Sequence, residues 1–175
     1  MALPTGKADM NTPRMIGFSA FSGTGKTTLI EQLVLRCKAR GLRVAVIKHD
    51  AHDFDIDHEG KDSWRFSHAG ADMMILSSST KTAVVEQRPH TLYENLALVH
   101  DVDLILVEGY KNEPIPQIGI CRKATGKGLP YPPSHYLAVV SDDCPPEGVP
   151  HFGLDEIDAI TEFVLTHAQP LPQQG

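Results

Sequence analysis

The stretch RMIGFSAFSGTGKTTLIEQLVLRC, from Arg14 to Cys37, decides the fold. Arg14 to Ala20 is a mostly apolar run of strand length that ends at glycines. From Lys26 the spacing changes. Leu29, Ile30, Leu33, Val34 and Cys37 recur at helical intervals, and Gly41 supplies the stop. Between strand and helix, Ala20 to Thr27 matches the Walker A pattern, with alanine in place of its first glycine. That position mainly has to be small, so the departure is mild. Gly23 and Gly25 let the backbone curl until successive N–H groups point inward as an anion nest. The following helix adds the positive end of its dipole. Ser22, Gly23, Thr24, Gly25, Lys26, Thr27 and Thr28 are therefore expected to hold nucleotide phosphates. Lys26 is the catalytic cation that reaches the β- and γ-phosphates, and the Thr27 hydroxyl is a ligand for Mg²⁺.

The flanks extend this reading. Arg43 to Ile47 is a second apolar strand, and strand–helix–strand is the unit of a parallel sheet. Val102 to Gly109 has the Walker B form: an apolar strand that delivers an acid, Glu108, at its C-terminal end near the phosphates. Glu108 is read as a metal-side and catalytic carboxylate. Asp103, at the other end of the strand, is read as a strand-start residue. After the second strand comes an acidic, His-rich loop, Lys48 to His58. Lys48 and His49 face the phosphates in such a sheet, and Asp53 or Asp55 joins the metal shell or positions water. The excess of aspartate over histidine favours a hard cation over a transition metal.

Further along, Lys61 to Ala69 is read as a short helix. Met73 to Ser77 and Thr82 to Glu86 are a hairpin turning at residues 78–81. Thr91 opens a helix, with Glu94 at capping-box spacing and Leu92, Leu96 and Val99 facing inward. Gln117 to Cys121 is a strand and residues 122–134 a long loop. Tyr136 to Val140 is a strand, and Asp155 to Leu165 a last helix. The alternation predicts an α/β fold of the P-loop NTPase type: a mostly parallel sheet with helices on both faces and antiparallel hairpin additions. Residues 1–13 are expected to be a disordered leader, 14–168 a single nucleotide-binding domain, and 169–175 a frayed tail.

Composition fits this and removes other classes. The chain has 175 residues, 41% hydrophobic and 22% charged, enough for one core without disulfides. The formal net charge of −6 gives no overall attraction to nucleic acid. Cys37, Cys121 and Cys144 are odd in number and form no Cys-x-x-Cys pair, as expected of reduced thiols in the cytoplasm. Lys7 and Arg14 precede no apolar segment of signal-peptide length, and no run approaches the ~20 apolar residues of a membrane span. Trp64, with Lys61 and Arg65 nearby, reads either as a platform for a planar phosphorylated ligand or as a core or dimer anchor.

The motifs occur in a recognisable order: Ser22 to Thr28, Ile47-Lys48-His49, His52 to Asp57, Gly60 to Ser63, Ala69 to Ala71, and Leu104 to Gly109. Together they resemble the molybdopterin-guanine dinucleotide biosynthesis protein B (MobB) family over roughly residues 15–165. The resemblance implies a GTP-binding homodimer with weak GTPase activity. It implies an accessory role to the guanylyltransferase, protein A of the same pathway, that joins GMP to molybdopterin, and it leaves molybdopterin itself as a possible ligand. Residues 49–57 and Lys61 would face the pocket. No Asn-Lys-x-Asp signature for guanine is present. Asp142 is the candidate for pairing with guanine N1 and N2, or else it starts a turn. No catalytic Gln or arginine finger can be placed, so slow hydrolysis is expected. Two other readings stay open: a small-molecule kinase, with Asp53 or Asp55 as base and Arg122 and Lys123 as lid cations, and a metallochaperone-type GTPase using His49, His52 and His58.

Overall fold

A computed structural model describes residues 12–49, 58–143 and 146–171. In chain order the elements are β1 (Arg14–Ala20), α1 (Lys26–Ala39), β2 (Val44–Lys48), α2 (Asp62–His68), β3 (Met73–Ser77), β4 (Thr82–Glu86), α3 (Leu92–Ala97) and β5 (Leu104–Glu108). They continue with β6 (Gln117–Cys121), β7 (Ala138–Ser141), β8 (His151–Phe152), α4 (Ile157–His167) and β9 (Gln169–Pro170). The described residues form two compact units, one drawn from the stretches before residue 50 and after residue 98 and the other from residues 58–98.

The first unit is built on a sheet of order β2-β5-β1-β6-β7-β8, parallel throughout, with the short β9 antiparallel to the start of β1. β1, β5, β6 and β7 are almost wholly buried, as central strands covered on both faces must be, whereas β2 at the sheet edge leaves Val46 47% exposed. Side chains of one parity, Ile16 and Phe18 of β1, Leu104 and Leu106 of β5 and Ile118 and Ile120 of β6, meet Leu29, Leu33 and Cys37 of α1 and Ile160 and Val164 of α4 in one core. Both helices thus pack on this face. Part of the other face is covered by loop side chains. A Cβ on Gly17 would lie 2.9 Å from Ile115 Cδ1, and one on Gly119 would lie 2.8 Å from the Tyr136 ring. Arg43 and Asp103 brace the entry to β2 and β5: the Arg43 backbone N–H donates to Asp103 Oδ2 at 2.7 Å and its Nη2 to Oδ1 at 2.9 Å. Asp103 is therefore the strand-start residue its position suggested.

In the second unit β3 and β4 form the expected two-stranded ribbon, paired from Met73↔Glu86 to Ser77↔Thr82. The capping box of α3 is present in full: Thr91 accepts from the Glu94 N–H, and Glu94 accepts from the Thr91 N–H at 2.8 Å. Leu92 and Leu96 are buried beneath it.

Several boundaries differ from the sequence reading. Tyr136 lies outside β7 as the cap of a 3₁₀ turn, Pro133–His135, because its hydroxyl accepts from the Tyr131 N–H at 3.1 Å. The loop of residues 122–134 is tied by a bridge between Arg122 and Lys127 and holds a second 3₁₀ turn, Lys123–Thr125. The last helix starts two residues later than expected and runs on to His167. Gln169 and Pro170, placed in the tail by composition, pair with Met15 and Arg14 instead. The leader lies almost wholly outside the described residues. No helix among the described residues is long and apolar enough to cross a membrane.

Candidate functional site

The start of α1 differs from that of α3 in a way that bears on function. Thr91 and Glu94 satisfy the first amides of α3 from within the chain. At α1 the N-cap is Gly25, with φ 87°, no side chain caps the helix, and no acidic residue stands in its first turn. The free amides at a helix start need an acceptor, and here the chain supplies none from a capping side chain. Gly23, at φ 84°, and Gly25 take up backbone conformations that side-chain-bearing residues rarely adopt. The Thr24 hydroxyl donates to the Phe21 carbonyl at 3.1 Å, and Thr24 is buried, so the loop is braced from inside. Residues 22–28 thus form a cradle, a curled loop leading into a helix start that no side chain caps, a geometry suited to an anion.

The residues around the cradle come from the C-terminal ends of the parallel strands. Glu108 ends β5 and is buried, and its Oε1 lies 3.6 Å from Lys26 Nζ. Register sets Phe18 beside Glu108, and Lys48 beside Glu108 on the other side. The His49 N–H donates to the Glu108 carbonyl at 2.8 Å, and the His49 ring stands 4.9 Å from that of Tyr110. Gly109 makes this approach possible. With φ 94°, it would place a Cβ only 2.4 Å from the His49 carbonyl oxygen. The Lys48-His49 and Glu108-Gly109 motifs, 60 residues apart in sequence, are one structural feature.

Loops after β5 and β6 flank the cradle. Gln117, buried, donates through Nε2 to the carbonyls of Lys111 and Glu113 at 3.3 and 3.1 Å, which fixes the turn after Gly109. Lys111 Nζ lies 6.0 Å from the centre of the Phe21 ring. On the opposite side β6 pairs Ile120 with Ala20, so Arg122 emerges beside the Walker A loop. Arg122 Nη1 lies 3.7 Å from the point a Cβ on Gly25 would occupy. Asp142 follows β7. Its Oδ1 accepts from the Lys123 N–H at 2.7 Å and its Oδ2 lies 3.8 Å from Arg122 Nε. Just below, the Ser141 hydroxyl lies 2.9 Å from His151 Nε2, and burial raises the Cys121 thiol above its usual range.

Of the residues singled out in the sequence, Ser22 to Thr28, Lys48, His49, Glu108 and Asp142 all belong to the first unit. Asp53, Asp55 and His52 lie outside the described residues. Lys61 belongs to the second unit, where Lys61, Asp62 and Ser63 line a cavity of about 530 Å³ together with Phe66, Met74 and Ile75. Trp64 stacks on His68, with ring centres 3.7 Å apart. Among the described residues no three His, Cys, Asp or Glu side chains stand together as a metal-binding group. Thr27 and Glu108 are oxygen donors of the kind a hard divalent cation takes.

A cradle suited to an anion between a strand and a helix, with a carboxylate one strand away, is what P-loop NTPases build, and by fold the chain belongs to that class. Comparison with known proteins narrows the class. The family model described as molybdopterin guanine dinucleotide synthesis protein B matches residues 15–142, and the chain belongs to that family. It is 42% identical over 132 residues to the Haemophilus influenzae molybdopterin-guanine dinucleotide biosynthesis adapter protein, covering 73% of this chain and 74% of that one. To the Escherichia coli adapter protein it is 34% identical over 167 residues, covering 89% and 93%. The crystal structure of Bacillus subtilis MobB superposes with a TM-score of 0.74 at 24% identity, over 89% of this chain and 98% of that one, which is a likeness of fold.

Proposed function

We propose that this chain is a GTP-binding accessory protein of molybdenum cofactor biosynthesis, acting in the cytoplasm. It assists the guanylyltransferase of the pathway in attaching GMP to molybdopterin, and its own GTP hydrolysis is weak. The observation that carries the nucleotide reading is the uncapped start of α1, with Lys26 beside it and Glu108 one strand away. The adapter role rests on family membership and on the names of the relatives. Ser22 to Thr28 and Lys26 hold the phosphates, and Lys48 and His49 stand near them. Thr27 and Glu108 hold Mg²⁺, which supplies charge neutralisation at the phosphates when bound. Asp53 positions water on the strength of sequence alone. The cavity beside Lys61 offers an apolar floor and a charged rim for a planar ring such as molybdopterin.

Homodimerisation is part of this reading. The β3–β4 ribbon exposes Met73, Ile75 and Val84, at 50%, 62% and 52%, and a two-stranded ribbon is marginal alone. The decisive experiment is calorimetric titration with GTP and ATP, with and without molybdopterin and the transferase. Lys26→Ala should abolish nucleotide binding while leaving the fold intact. A folded Lys26→Ala protein with unchanged affinity would remove the site.

A further inference from the structure

Arg122 takes no part in the Walker A or Walker B patterns, and its place in the structure is specific. It follows β6, whose Ile120 is in register with Ala20, the last residue before the phosphate loop. Its guanidinium reaches within 3.7 Å of where a Gly25 side chain would begin. Glycine is favoured at position 25 by its positive φ, and the 3.7 Å distance is that of an ordinary contact, so the guanidinium lies directly alongside the loop. The same side chain lies 3.8 Å from Asp142, and both partners are only partly covered, at 46% and 40% exposure. Asp142 is itself held. It accepts the Lys123 N–H at 2.7 Å, and it follows Ser141, which is in register with Cys121. A carboxylate fixed by a backbone N–H and set beside a half-exposed arginine is a device for aiming that arginine.

We propose that Arg122 is a phosphate-contacting cation of the nucleotide site, and that Asp142 is a positioning residue that aims it rather than a reader of guanine. The proposal rests on the nucleotide reading above. Nε faces Asp142 while Nη1 lies beside Gly25, so the guanidinium can stay turned by the carboxylate and offer its Nη groups to phosphate oxygens. Arginine suits the task, because its planar fork donates two parallel hydrogen bonds to a phosphate. The Lys123 N–H keeps Asp142 in place. The ligand class is a nucleoside di- or triphosphate, and the contact is made to the phosphates, so it is indifferent to the base.

The test compares the full chain with Arg122→Ala, Arg122→Lys and Asp142→Asn, titrated with GTP, GDP, ATP and guanosine, with Lys26→Ala alongside and thermal melting as the check on folding. Arg122→Ala should weaken GTP and GDP by roughly tenfold to a hundredfold. Arg122→Lys should recover part of that loss. Asp142→Asn should weaken GTP and ATP by equal factors, and the ³¹P resonances of bound GDP should shift in both the Arg122→Ala and Asp142→Asn proteins. Should Arg122→Ala fail to fold, Arg122→Lys and Arg122→Gln carry the same comparison. Unchanged GDP affinity in the Arg122 variants, with Lys26→Ala inactive, would overturn this inference and leave the nucleotide reading standing. A loss in Asp142→Asn confined to guanine nucleotides would overturn the positioning role. A wild-type chain that binds no nucleotide would overturn both readings together.

Discussion

Replacing Gly109 by alanine tests how the ends of β2 and β5 set up the site. The new Cβ would sit 2.4 Å from the His49 carbonyl oxygen and 3.3 Å from its carbonyl carbon, at a residue whose φ is 94°. Ordinary C···O contact begins near ~3.3 Å, so the two strand ends must separate by roughly 1 Å. The obstacle is main chain, which cannot rotate away as a side chain can. The His49 N–H bond to the Glu108 carbonyl, 2.8 Å long, would break or stretch, and Glu108 would move relative to Lys26. Positive φ costs a residue other than glycine about 1–2 kcal/mol, and forced overpacking adds about 1–3 kcal/mol. Gly41→Ala is the control. Gly41 also has positive φ, 79°, but nothing lies within 4 Å of its added Cβ, so it bears only the backbone cost. We expect Gly109→Ala to be the less stable of the two by about 1–3 kcal/mol and to bind GTP more weakly, and Gly41→Ala to bind as the wild type does. Urea unfolding should be followed by far-UV circular dichroism, because the single tryptophan, Trp64, reports on the other unit. Equal stability and equal nucleotide affinity in the two variants would refute the view that Gly109 fixes Glu108 against His49.

Two further outcomes follow from the second unit. The Thr91 N–H, then Arg88, then the Thr91 hydroxyl hold the Glu94 carboxyl down at about 2, from an ordinary value of 4.5. Because the folded value is depressed, the stabilisation is complete above pH 4.5 and is lost as pH falls toward about 2. Carbon-detected NMR titration should find the Glu94 midpoint well below the usual carboxylate range and raised in Arg88→Ala, and a midpoint at the ordinary value in the wild type would contradict the capping geometry. If the chain forms the homodimer proposed above through its ribbon, Ile75→Asp should convert it into a monomer by sedimentation without unfolding the chain, since Ile75 is 62% exposed within the chain. A variant that remains dimeric would move the interface elsewhere.

What the sequence made legible is what short-range physics controls. The β1–loop–α1 unit could be read from periodicity and glycine placement, and β1 and the start of α1 lie where that reading put them. The capping box at Thr91 and Glu94 was visible because its bonds span three residues. The paired strands β3 and β4 have the expected limits for the same reason. The misses depend on contacts from distant sequence. β8 has two residues, too few for any alternation to appear, and exists because β7 offers it a partner. β9 contains a proline and still pairs with β1, at the sheet position before β6 begins its own pairing. Arg122 was noticed only as one of two cations in a loop. Nothing local announces that β6 carries it to within reach of Gly25, almost a hundred residues earlier. For Asp142, weighed in the sequence as a guanine acceptor or a turn residue, the contacts with the Lys123 N–H and Arg122 are likewise long-range and had no local signal.

The same geometry bears on how an acidic chain would hold a polyanion at the proposed site. A net charge of −6 repels nucleotides at long range, so affinity at the proposed site would depend on short-range contacts. The Lys26–Glu108 pair is well covered, with 17% and 8% side-chain exposure, and drawing Lys26 toward phosphate would leave a covered carboxylate without its partner. Such separations are costly, so phosphate alone is a poor replacement. The exchange balances only when Glu108 acquires a cation as Lys26 leaves, which is the place the proposed site gives to Mg²⁺. Arg122 and Asp142 are the opposite case: both are exposed, so a phosphate beside the guanidinium would leave no covered charge unpaired. On the proposed site, one arm of the cradle would therefore couple phosphate to a divalent cation while the other would answer to phosphate alone, and affinity for a nucleotide without metal would rest mainly on the backbone amides and Arg122.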